Sequence, residues 1–243
     1  QAEAGIDVLT DGEQGKLGFY AYVSERLTGF EPRPGTRQAI FEAEVRAFPE
    51  YYEQYFGQAM LGGAVVPNVP IVCTGPIRYR GQEAVQRDIE NLKAALAGVP
   101  AVEAFLPAVA PSGVARGGNE YYRTEEEYLT AIADAMHTEY QAIVDAGFLV
   151  QIDDPFLTEC FSYSTASPAE RRRTAERYVE AINHGLRGIP PEKVRFHTCY
   201  GINEGPRIYD VPLPDIIDVV LKVNAGAYSF EAANPRHEHE YHL

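Results

Sequence analysis

Short apolar runs alternate along the chain with longer stretches whose apolar residues recur every three or four positions. The run IDVLTDGE (Ile6 to Glu13) sets aliphatic residues ahead of an Asp-Gly pair and predicts a strand ending in a polar turn. The aromatic-rich segment Phe41 to Met60 predicts a helix. VVPNVPIVCTGPI (Val65 to Ile77) is strand-like, broken by prolines and stopped at Gly75-Pro76. Val85, Ile89, Leu92 and Leu96 stand at helical spacing and predict a helix over Gln82 to Leu96. AVEAFLPAVAPSG (Ala101 to Gly113) reads as strand then loop. Thr124 and Glu127 form a capping box ahead of an apolar stripe of Leu129, Ile132, Met136, Tyr140 and Ile143, with Gly147 placed to end that helix. FLVQIDDP (Phe148 to Pro155) predicts a buried strand. Ser167-Pro168 with Glu170 opens a further helix running to about His184. KVRFHTCYG (from Lys193) predicts the next strand, Leu213 to Asn224 a helix, and AYSFEAANP (Ala227 to Pro235) a last strand.

Six strands alternating with helices, each too apolar to be half exposed, predict a parallel sheet covered by helices. A doubly wound sheet and a (β/α)8 TIM barrel both satisfy that pattern. Asp11 and Glu13, Thr74, Asp153 and Asp154, His197 and Cys199, and Glu231 all fall at or near C-terminal strand ends, which in a barrel converge on one mouth. No Gly-x-Gly-x-x-Gly comes after any strand, which weakens the nucleotide-binding alternative. The barrel is favoured. Six strands cannot close an eight-stranded one, and the chain starts at Gln1 within what reads as a helix. The expectation is therefore one barrel domain over residues 1–243, truncated at both ends, whose open strand edges leave a homo-oligomer as an option.

Composition narrows the function. A chain of 243 residues with 45% hydrophobic content can bury a sizeable core. Its net charge of -14 argues against a surface built for phosphates, and so against nucleic acid as a partner. No apolar run approaches the roughly 20 residues of a membrane helix, and no signal-like segment opens the chain. A soluble, cytoplasmic protein is expected. Three cysteines (Cys73, Cys160, Cys199) make no disulfide framework.

His197 and Cys199 lie two apart on a strand, so their side chains point the same way. An imidazole and a thiolate on one face near a barrel mouth suit zinc, which takes N and S donors and, with three protein ligands, keeps a fourth position open. Glu231, at the end of the next strand, supplies an oxygen. The plainer reading is that a buried Cys is a small hydrophobe and the histidine an interior residue. Asp11 and Glu13 either line the mouth or cap the next helix. Cys73 and Cys160 read as structural, Arg171 to Arg173 and the HEHEYH tail as solvated surface, and Tyr121-Tyr122 as either a gate or loop packing.

VQIDDP (150–155), RFHTCYG (195–201) and YSFEAANPRHEHE (228–240), in that order, resemble the catalytic half of cobalamin-independent methionine synthase. The likeness is nearest to the shorter stand-alone relatives that include epoxyalkane:coenzyme M transferases. DVLTDGE and CTGP (73–76) also match family positions. The resemblance implies that His197, Cys199 and Glu231 are metal ligands for Zn2+, and that Asp153 is a catalytic and substrate-binding residue holding the amino group of a thiol substrate. Glu13 is expected beside it as a second substrate-binding residue. Implied too are a small-molecule thiol (homocysteine or coenzyme M-like) and an alkyl donor (methyl-folate or an epoxide). The family's fourth ligand, a cysteine, falls outside this sequence. Asp154 stands where the synthases carry Glu, and Ile77-Arg78 where they carry Val-Thr, which puts the folate and homocysteine specificity in question more than the zinc. The alternatives are epoxide opening by the same chemistry, or an inactive barrel fragment that acts by association. A uroporphyrinogen-decarboxylase-like barrel, which needs no metal, is disfavoured by His-x-Cys with Glu.

Overall fold

The computed structural model describes residues 1–19, 21–33, 42–55, 70–162, 166–201, 205–231 and 234–242. Among them seven strands form: β1 (Val8–Thr10), β2 (Phe30–Pro32), β3 (Ile71–Cys73), β4 (Glu103–Val109), β5 (Leu149–Asp153), β6 (Val194–Thr198) and β7 (Ala227–Phe230). Five of them make one parallel sheet in the order β1-β4-β5-β6-β7. Every neighbouring pair is parallel, so every C-terminal end emerges on the same side. The curled sheet is that of an incomplete TIM barrel.

The predicted second strand departs from expectation. Of Val65 to Ile77, residues 65–69 lie outside the described residues, and the strand that forms, β3, pairs antiparallel with β2 in a separate two-stranded sheet. It joins the body of the fold through Cys73, whose N–H donates to the Gly118 carbonyl at 3.0 Å and whose carbonyl accepts from the Glu120 N–H at 2.9 Å. Gly29 permits this packing: its φ of 85° is left-handed, and a Cβ there would stand 2.6 Å from the Gly75 carbonyl oxygen.

The long helices sit where periodicity places them. Gln82–Leu96 forms as predicted, burying Val85, Ile89 and Leu92. Glu125–Asp145 starts at Thr124, whose hydroxyl accepts from the Glu127 N–H at 3.1 Å. Pro168–Gly185 opens with a complete capping box at Ser167 and Glu170. Two predicted helices form only in pieces among the described residues. Leu213 to Asn224 becomes a 3-10 turn, Leu213–Asp215, and a four-residue helix, Ile217–Val220. Phe41 to Met60 yields Glu42–Ala47 and Pro49–Gln54, with residues 41 and 56–60 outside the described residues.

The core lies between the helices and one face of the sheet. Val150, Ile152, Phe196 and Leu106 meet Ile132, Met136, Val179 and Ile182, all essentially buried. The sequence predicts strands apolar on both faces, but β5 and β6 alternate. Val150, Ile152, Val194, Phe196 and Thr198 are buried, while Leu149, Gln151, Arg195 and His197 are only partly so. Helices cover one face; the other carries a polar layer facing the concave side of the sheet.

Candidate active site

The register of β5 against β6 sets Gln151 opposite Arg195 and Asp153 opposite His197. These cross-strand pairs make a ladder on the open face. Arg195 donates from Nε to the Gln151 amide oxygen at 2.6 Å and reaches Ser229 on β7 at 3.2 Å. Its guanidinium lies over the Phe105 ring at 4.9 Å. The Gln151 amide in turn donates to Asp153 Oδ1 at 2.8 Å. Neither Gln151 nor Arg195 stands out in the sequence; the signal is their alternation with apolar residues in VQID and VRFHT.

At the C-terminal end of this ladder His197 Nδ1 sits 2.8 Å from Asp153 Oδ1, and the Cys199 thiol lies beside the imidazole. Burial pulls the His197 pKa down, but the Asp153 hydrogen bond and charge, with Cys199 behind them, outweigh it and push it up to about 10. The strand ends are fixed by backbone bonds: the Ala110 N–H donates to the Asp153 carbonyl at 3.0 Å and the Asp154 N–H to the His197 carbonyl at 2.9 Å. Thr158 donates to the Cys199 carbonyl at 2.5 Å.

Asp154 points away from the mouth. Its Oδ1 accepts from the Phe156 and Leu157 N–H groups at 3.1 and 3.0 Å, capping a helix, Phe156–Ser162, that periodicity does not predict. Complete burial pushes its pKa up to about 7 against those hydrogen bonds.

Glu231 comes directly after β7. Its Oε2 accepts from the Tyr200 N–H at 2.9 Å and its Oε1 from the Asn234 amide at 3.1 Å. Glu13 lies beyond β1 and is, among the described residues, the one non-glycine with a left-handed φ, 57°. Its N–H is held by Asp11 Oδ1 at 3.0 Å, and its carboxylate meets the buried Lys16 ammonium at 3.3 Å. Burial raises the Glu13 pKa; Lys16 opposes the rise and the Asp153 charge adds to it, so the two acids feel each other across the mouth.

The structure thus brings His197, Cys199 and Asp153 together, with Glu13 on the same side and Glu231 past the end of the neighbouring strand. Among the described residues no three His, Cys, Asp or Glu side chains converge closely enough to hold a metal ion. The donor types still suit zinc. His197 has its ring oriented by a carboxylate, the arrangement common behind zinc-bound histidines, and Glu231 has partners for both oxygens, as ligating carboxylates do.

Other expectations fall differently. The HEHEYH tail is not simply solvated: His237 is 6% exposed, although His239 is open. Arg171 donates to the Phe161 and Ala166 carbonyls, and Arg172 pairs with Asp218, leaving Arg173 as the exposed member. Tyr122 packs over the β3 loop and accepts from the Ile77 N–H at 3.0 Å. Cys73 is buried and Cys160 half-buried. No helix among the described residues is long and apolar enough to cross a membrane.

No family model matches the chain. A methionine synthase of Sulfolobus acidocaldarius is 26% identical over 200 residues, covering 82% of this chain and 48% of that protein. One of Saccharolobus solfataricus is 25% identical over 209 residues, with the same coverage. The chain thus spans about half the length of the curated relatives it matches. A Listeria monocytogenes structure described as a candidate vitamin-B12-independent methionine synthase superposes with a TM-score of 0.61 at 21% identity, over 94% of this chain and 57% of that one. A B12-independent methionine synthase of Shewanella sp. W3-18-1, in complex with selenomethionine, gives 0.57 at 18% identity, over 83% and 48%. In sequence and in fold, at low identity and over about four-fifths of this chain, the likeness is to the methionine synthases.

Proposed function

We propose that this chain carries the thiol-activating part of a zinc-dependent methyl transfer to an amino thiol, with His197, Cys199 and Glu231 as protein donors. The observation that carries it is the Asp153–His197 pair with Cys199 beside it, at the strand ends where a parallel barrel keeps its chemistry. Zinc, when bound, keeps a thiol as thiolate at neutral pH.

The residues themselves do the rest. Asp153 fixes the His197 ring through Nδ1, and Tyr200 and Asn234 hold the Glu231 carboxylate. Asp153 and Glu13, two acids sensing one another at the mouth, suit an ammonium group. That charge pattern favours a homocysteine-like thiol over coenzyme M, whose sulfonate two carboxylates would repel. The relatives named methionine synthase point the same way.

Elemental analysis of the purified chain tests the donor set. Near-stoichiometric zinc is expected in the wild type, with its loss in Cys199→Ala. Equal zinc in both, or none in either, overturns the assignment. Methionine formed from homocysteine and methyl-folate, assayed in a protein that includes this chain, tests the reaction.

A further inference from the structure

His237, which the proposed chemistry does not use, sits at the centre of a buried cluster beside the donor set. Its Nδ1 is 2.9 Å from Glu240 Oε2 and its Nε2 3.0 Å from Asp210 Oδ2. The ring is stacked on Tyr200, centroids 3.5 Å apart and planes within 5°. The Glu240 carboxylate is itself anchored by the Leu213 N–H at 3.1 Å, and Asp210 also receives Arg236 at 2.5 Å. Three segments that meet nowhere in sequence, after β6, before the Leu213–Asp215 turn and after β7, are tied at this one ring.

Tyr200 is what makes the cluster matter to the mouth. It is the next residue after Cys199, and its N–H holds Glu231 Oε2. The second Glu231 oxygen is held by Asn234, whose carbonyl accepts the His237 N–H at 2.9 Å. Both groups that orient Glu231 therefore lean on His237, one through the stacked ring and one through the backbone. The Tyr200 hydroxyl is buried with no hydrogen-bond partner, so among the described contacts ring stacking and the backbone, not the phenol, fix this residue. We propose that His237 is a positioning residue for the donor set: clamped between Asp210 and Glu240, it holds Tyr200 flat and thereby sets Glu231 and Cys199 for the metal. This rests on the reading of His197, Cys199 and Glu231 as ligands.

Outer partners of ligands contribute about ten- to hundredfold in metal affinity, and His237 acts at that level. Two variants separate its parts. His237→Gln loosens the clamp, while Tyr200→Leu removes the stack and leaves Asp210, His237 and Glu240 in place; His184→Gln, on a remote exposed helix face, is the reference. Zinc affinity is read by competition with a chromophoric chelator, and amide exchange is read in the metal-free chain.

Both variants should bind zinc about tenfold or more weakly than the reference. In His237→Gln the Tyr200 N–H should exchange about tenfold faster while the Val150 and Ile152 amides keep their protection, a split that general destabilisation does not produce. Unchanged zinc affinity in both variants overturns the proposal, as does unchanged Tyr200 exchange in His237→Gln. A wild type that takes up no zinc is a failure of the donor-set reading, and the exchange measurement still decides whether His237 holds Tyr200.

Discussion

Lys16 donates to the carbonyl of Pro107, 91 residues away, at 2.5 Å, where β1 has already ended and its ladder can no longer serve β4. Farther along β4, the Val109 N–H finds the Tyr22 hydroxyl at 3.1 Å. Two side chains from the segment after β1 thus complete the backbone pairing of β4 toward the mouth. The same ammonium lies 4.6 Å from the Tyr22 ring centre and pairs with Glu13. The sheet edge and a candidate substrate carboxylate are therefore tied together.

Lys16→Met should accordingly do two things. The buried Pro107 carbonyl loses its donor, an expected cost of about 2 kcal/mol read from urea unfolding. Glu13, losing the cation that opposes its rise, should titrate still higher by carboxyl NMR. A variant with wild-type stability and unchanged Glu13 titration contradicts the double role.

A second buried cation holds the outer elements. Arg26 pairs with Asp88 and, at 3.1 Å, with Glu139, which also accepts from Tyr22 at 2.9 Å and Tyr79 at 2.7 Å. Glu139→Gln keeps the shape and removes the charge, leaving the buried guanidinium with one counter-ion. The expected loss is about 3 kcal/mol, seen as a lower urea midpoint at unchanged slope.

Much of this is readable in the chain, for local reasons. The helices Gln82–Leu96 and Pro168–Gly185 announce themselves by period and caps, and His197 and Cys199 by a spacing of two. The helix expected over Leu213 to Asn224 neglects Pro212 and Pro214 and the β-branched residues Ile216, Ile217, Val219 and Val220, which support only a short helix. The Asp153–His197 contact and the Gln151–Arg195 ladder depend on strand register, and β2 depends on pairing with β3 across roughly forty residues, a separation over which local pattern carries no information. Lys16 escapes notice because nothing local says which carbonyl a lysine will meet.

Asp153→Asn should lower the His197 pKa below its present value of about 10, because the negative partner on Nδ1 becomes neutral while burial continues to pull the pKa down. Imidazole NMR against pH in the metal-free chain reads this directly. An unmoved titration would assign the shift to Cys199 instead.

Asp154 gives the stability of the metal-free chain an unusual slope with pH. Burial outweighs the hydrogen bonds from the Leu157 and Phe156 N–H groups and carries its pKa from 3.8 to about 7. The folded chain therefore holds this proton more tightly than the unfolded chain. The contribution is complete below about pH 4 and is lost as pH rises through about 7, amounting to about 4 kcal/mol across that window. His197 acts in the next one: raised from 6.5 to about 10, it contributes stability that is full below 6.5 and is lost as pH rises through about 10. Asp154→Asn retains Oδ1 for the Phe156 and Leu157 N–H groups, so the helix cap survives while the titration disappears. Urea unfolding should then show a steeper fall in stability from about pH 4 to 7 in the wild type than in the variant, where Glu13, also raised, still contributes a fall of the same sign, with the decline above pH 7 shared by both. The same fall in both proteins over the lower window would place that slope on another group and remove Asp154 from the account.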